Sequence, residues 1–130
     1  MEDSADWRGL RRERFGGPDA EALLDLVLQG RKTGTCWAAR HGVRVCVGER
    51  AVFCDSAGRP RAVVETLSLE RRRFCDVDAA FARAEGEGDL SLEFWRDAHR
   101  RFFEAEGAFA EDMELWCERF RLVRLLESET

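Results

Sequence analysis

Gly30-Arg31-Lys32-Thr33-Gly34-Thr35 is where the chain changes its pattern, and the fold is read outward from it. On its N-terminal side the spacing is helical. Pro18 suits a first turn, and Asp19 to Gln29 sets Leu23, Leu24, Val27 and Leu28 on one side, with Gly30 as the stop. On its C-terminal side the runs are short and extended: Thr33 to Ala38, Val43 to Val47, and Ala51 to Cys54. Asp55-Ser56-Ala57-Gly58-Arg59-Pro60 reads as a turn, and a long strand follows from Arg61 to about Phe74. Asp76 can cap a helix from Val77 to Ala84, which Gly86 ends. A further helix over Ser91 to Glu106 buries Leu92, Trp95, His99, Phe102 and Phe103, and the chain closes on a strand from Met113 to Leu125. Strands on both sides of a helical insert, without regular alternation, predict an α+β fold. A small closed or half-closed barrel with helices packed outside fits best. Trp7 to Phe15 reads as a short basic helix or an ordered arm. This divides the chain into an arm over 1–18, a domain over 19–125 and a tail over 126–130.

Bulk properties narrow the classes. A chain of 130 residues, 45% hydrophobic and 36% charged, has the composition of one ordinary globular domain. No apolar run approaches the roughly 20 residues that cross a bilayer, and the acidic start lacks the order of a signal peptide, so a cytoplasmic protein with no membrane partner is expected. Cys36, Cys46, Cys54, Cys75 and Cys117 form no C-x-x-C pair and read as apolar thiols. His41 and His99 complete no ligand spacing, so neither metal nor organic cofactor is expected. A net charge of -5 counts against a protein that grips long nucleic acid mainly through phosphates, although Arg8, Arg11, Arg12 and Arg14, and again Arg71, Arg72 and Arg73, form local clusters.

Lys32 is the only lysine, against 20 arginines. Lysine offers a compact ammonium that can lose its proton when buried, which arginine cannot do. Strand alternation sets Val63, Glu65, Leu67 and Leu69 on one face and Val64, Thr66 and Ser68 on the other. Glu65 therefore stands among apolar neighbours and needs a cationic partner, for which Lys32 is the obvious candidate and an arginine the alternative. Glu118 shares a stripe with Trp116, Phe120 and Leu122. It either lines the same cavity or holds an arginine. The segment around Lys32 is not a phosphate loop, because the lysine precedes the second glycine. Glu85-Gly86-Glu87-Gly88-Asp89 reads as a solvated turn rather than a cation loop, His99 as a core histidine, and Trp37 as core or as a stacking surface.

With these residues in view, the chain resembles the ASCH domain family of the PUA-like group. The likeness rests on Gly30-Arg-Lys32-Thr-Gly-Thr35, similar to the motif G-x-K-x-x-T, and on Asp55-Ser-Ala-Gly-Arg-Pro-Arg-Ala-Val-Val-Glu65-Thr. It extends through Phe81 to His99 and resumes at Cys117-Glu118-Arg119-Phe120. The resemblance implies a PUA-like barrel whose cleft meets RNA or modified nucleosides. Small bacterial members are amidohydrolases that deacetylate N(4)-acetylcytidine, and another member is described as a ribonuclease. It also implies Lys32, Thr35 and Glu65 as catalytic residues: Lys32 the base, Thr35 the nucleophile, Glu65 the proton shuttle. Thr33, Trp37, Arg40 and Glu118 are the expected substrate contacts. The expected partner is a small-molecule nucleoside or RNA. The alternatives are an RNA-binding module, with or without weak nuclease activity, and a protein-interaction domain. The stretch Cys36 to Gly42 departs from the small-residue and Leu-Trp run of close relatives, and the segment before Gly48 is shortened. Both lie at the pocket rim.

Overall fold

In the computed structural model, which describes residues 7–126, the extended runs after Gly30 gather into one sheet. The elements are β1 (Arg11–Glu13), α1 (Ala20–Leu28), β2 (Gly34–Ala38), β3 (Arg50–Cys54), β4 (Pro60–Arg73), α2 (Ala79–Glu85), α3 (Leu92–Ala105) and β5 (Glu114–Leu125). The strand order is β1-β3-β4-β5-β2, with β1 parallel to β3 and every other pair antiparallel. This is an α+β fold in which the mixed sheet curls into a half-barrel. Register shifts in β4 at Val63/Val64 and Thr66/Ser68 place bulges where the sheet must bend.

Alternation along the long strands builds a core on each face. Leu115 and Cys117 of β5 pack with Phe74, Phe81, Trp95 and Phe103 under α2 and α3. Phe120, of opposite parity, packs with Phe53 and Val64 against Leu24 and Val27 of α1. The basic N-terminal segment is a 3-10 turn at Trp7–Gly9 followed by a sheet strand. Trp7 and Leu10 close a third cluster over Val52, Cys54 and Val63.

Three local expectations are corrected. Val43 to Val47 is not a strand. Glu49 accepts the Cys46 amide on its carboxylate and donates its own amide to the Cys46 carbonyl, while Gly48 donates to the Thr66 carbonyl and Thr66 to the Glu49 carbonyl, tying the loop to β4. Val43 and Val47 consequently face solvent. The helix predicted over 77–84 begins two residues later, because Asp78 rather than Asp76 accepts the amide of Phe81. Asp76 instead closes a 3-10 turn and holds Arg73. Phe102 is exposed, since the buried stripe of α3 centres on Trp95, His99 and Phe103 at four-residue spacing. Among the described residues, no helix is long and apolar enough to cross a membrane.

Candidate functional site

The turn after α1 is folded by two amides, of Arg31 and Lys32, that both donate to the Leu26 carbonyl. Thr33 then donates its amide to the carbonyl of Ala84, which draws the end of α2 against the start of β2. Gly86 makes that approach possible. Its φ is 75°, and a Cβ there would lie 2.4 Å from the Arg31 carbonyl oxygen. The result delivers Glu85, the last residue of α2, to the lysine.

Lys32 is buried to 2% exposure and its ammonium is enclosed by acceptors. It donates to Glu85 Oε1 at 2.6 Å, to the Glu85 carbonyl at 3.3 Å and to Glu87 Oε2 at 3.2 Å. The Phe15 ring lies 5.8 Å away. The second oxygen of Glu85 accepts from Trp95 Nε1 at 3.1 Å and lies 3.6 Å from His99 Nε2. Glu85 is as deeply buried as the lysine, whereas Glu87 keeps 24% of its side chain exposed. Of the two carboxylates on this ammonium, only Glu87 is within reach of a ligand.

Both charges of the central pair persist. For Lys32 the largest influence is burial, which opposes the ammonium, but Glu85 and Glu87 outweigh it and hold the pKa above its ordinary value. For Glu85 burial also opposes the charge, and Lys32, His99 and the Trp95 hydrogen bond hold its pKa below the ordinary range. This corrects the expectation of a lysine made neutral by burial: in the resting chain Lys32 is a proton donor, not a base.

The expected pairing of Lys32 with Glu65 is likewise corrected. Glu65 Oε1 accepts from Arg50 Nε and from Arg121 Nη2, each at 3.1 Å, and these are its neighbours on the two flanking strands. The Arg50 hydrogen bond is the first cause of its lowered pKa. Alternation separates Glu65 from Thr66 as predicted, but it is the Thr66 face that turns inward. Thr66 donates to buried Glu118 at 2.7 Å, and Glu118 stands opposite Thr35 in the β2–β5 register. Burial raises the Glu118 carboxyl, against the Thr66 hydrogen bond. Glu65 and Glu118 therefore do not line one cavity, and Glu118 holds a threonine rather than an arginine.

The other expected site residues are spread around β2. Thr35 is half-buried beside Glu118. The Thr33 hydroxyl points to the Ala84 carbonyl at 3.4 Å. Arg40 is exposed in the 3-10 turn Ala39–His41. Trp37 donates to the Gly42 carbonyl and lies opposite Trp116 across the strands. Arg44 covers the first ring and Arg71 the second, each at 5.7 Å. A shallow depression lined by Arg71, Arg72 and Arg73 also contains Asp76 and Glu114. The three arginines are matched by Glu114, by Glu70 with Asp78, and by Asp76, so this cluster is not a free basic patch.

The Glu85–Asp89 segment, read from sequence as a solvated turn, thus supplies both carboxylates of the site. One signal for Glu85 was available: it follows Phe81 by four residues, on the buried face of its helix. On the side of β2 facing away from Thr35, Cys36 Sγ, a Glu85 oxygen and a His99 nitrogen lie within 4.8 Å of one another, which brings together three residues able to hold a metal.

A family model for the ASCH domain matches residues 12–124. No significant match is found among curated proteins. The crystal structure of an ASCH domain from Lactobacillus crispatus JV V101 is similar to this chain, with a TM-score of 0.79 and 34% identity, over 87% of this chain and 79% of that one. A crystal structure of a protein from Enterococcus faecalis V583 is similar at a TM-score of 0.79 and 29% identity, over 95% of this chain and 82% of that one.

Proposed function

The chain belongs to the ASCH domain family, and from that premise we propose that it hydrolyses an amide on an acylated nucleoside or a related small molecule. One observation carries the reading: a buried ammonium, fixed by buried Glu85, also meets a second carboxylate that remains reachable. Glu85 keeps Lys32 charged and in place. Lys32 then donates a hydrogen bond to the acyl oxygen as that oxygen gains charge. Glu87 takes the proton of the attacking hydroxyl, for which Thr35 at the start of β2 is the proposed source, and passes it to the leaving amine. Water, deprotonated by the same carboxylate, then attacks the acyl-Thr35 ester, and Glu87 returns that proton to the Thr35 oxygen as the free acid leaves. This assignment gives Glu87 the role that the family resemblance implied for Glu65.

A second reading has its own support. Trp37 and Trp116 stand abreast, each with a guanidinium over its ring, an arrangement suited to stacking unpaired bases. The chain would then hold RNA without turning it over.

The test is incubation of the purified protein with N(4)-acetylcytidine and a panel of other acylated nucleosides, following release of the free acid. Turnover is expected, reduced at least about 100-fold by Lys32→Met and by Glu87→Gln and retained in Glu65→Gln. Absence of turnover on every panel member, together with salt-sensitive RNA binding lost in Trp37→Ala, overturns the hydrolytic reading in favour of the second.

A further inference from the structure

We infer that Cys36, Glu85 and His99 form a binding site for one zinc ion. The three come from β2, the end of α2 and the middle of α3, and their ligand atoms already lie within 4.8 Å of one another. Thiolate, imidazole and carboxylate are the donors that tetrahedral zinc takes, whereas calcium and magnesium prefer oxygen alone. Three protein ligands leave a fourth position open.

The orientation of the donors supports the site. His99 Nδ1 donates to the Trp95 carbonyl at 2.9 Å, which turns Nε2 toward the cluster. Nε2 faces Glu85 Oε2 across 3.6 Å. These two ligand atoms face each other in a buried place with the Cys36 sulfur beside them, where a cation can bridge all three. Trp95 holds both ligands from behind, through its indole N–H to Glu85 and its carbonyl to His99. Such outer contacts fix ligands around a metal. Zinc binding would release the Cys36 thiol proton to solvent. The His99 side chain keeps 15% of its surface exposed, which gives the ion a route in from that side.

This inference does not rest on the hydrolytic reading, because binding is measured without substrate. The untagged full chain, stripped with chelator, is titrated with Co2+ and then with Zn2+ in competition. Expected are one equivalent per chain, a near-ultraviolet thiolate-to-cobalt band, and displacement by zinc. Cys36→Ser should abolish that band, and His99→Gln should weaken binding at least about 100-fold. Cys46→Ala, at an exposed thiol elsewhere, should bind as the parent does. Far-ultraviolet circular dichroism checks that each variant is folded, with Cys36→Ala as a second replacement if the serine variant is not. Absence of saturable binding to the parent chain overturns the site. So does binding that folded Cys36 and His99 variants retain unchanged.

Discussion

Glu85 and Glu65 are both glutamates that meet cations on this small sheet, and their surroundings set them apart. Glu85 has 2% of its side chain exposed and is shared among Lys32, Trp95 and the facing edge of His99. Glu65 has 23% exposed and lies between two arginines on neighbouring strands, themselves 26% and 47% exposed. The first pair is out of water, so the attraction is strong and removal of either partner leaves a stranded charge. The second stays in contact with solvent, which screens it. A carboxylate on an apolar stripe is thus a poor guide to which glutamate matters. What decides is whether the backbone can bring a cation to it inside the core.

This contrast can be broken by substitution. Glu85→Ala should cost about 3–5 kcal/mol, because Lys32 would remain buried without its principal partner. The corresponding fall in Tm is roughly 10–20 °C, read by calorimetry. Gly86→Ala attacks the same pair without touching a charge. A left-handed residue with its Cβ against the Arg31 carbonyl must move the end of α2, and a loss of more than about 2 kcal/mol is expected in denaturant unfolding. Glu65→Gln should lower Tm by a few degrees at most. Parity between Glu65→Gln and Glu85→Ala would erase the distinction.

A third glutamate, Glu118, differs from both. Glu118 is buried but accepts from a neutral threonine, and burial raises its pKa. The folded chain therefore holds this proton more tightly than the unfolded chain does. Its contribution is complete below the ordinary carboxyl value of about 4.3 and is lost as pH rises through the raised folded value. Glu118→Gln should match the parent near pH 4 and become the more stable of the two as pH approaches 7. Unfolding curves at both pH values check this, and a gap that widens toward low pH would contradict it.

Much of the fold was legible because it is written in local patterns. Helix α1 with Leu24 and Val27 inward, the turn at Asp55, the two long strands and the stop at Gly86 all follow from periodicity and punctuation. Lys32 stood out as the single lysine, and it is buried in an ion pair. Its partner was not. Glu85 is 53 residues away, and nothing in the spacing says that a left-handed glycine will press the end of α2 onto the Lys32 backbone. The Cys36–Glu85–His99 cluster was hidden for the same reason, since rules for ligand spacing see only neighbours in sequence. Glu65 misled because β4 curls. Alternation fixes which residues share a face, but not which face becomes the interior.

Lys32 is bound to Glu85 and not to Glu65, and a pair of double-mutant cycles measures that preference. Lys32→Met is combined with Glu85→Gln in one and with Glu65→Gln in the other, each followed by equilibrium denaturation. A coupling of about 2–3 kcal/mol is predicted for the first and less than about 0.5 kcal/mol for the second. A large coupling between positions 32 and 65, with none between 32 and 85, would place the lysine's partner on β4 instead.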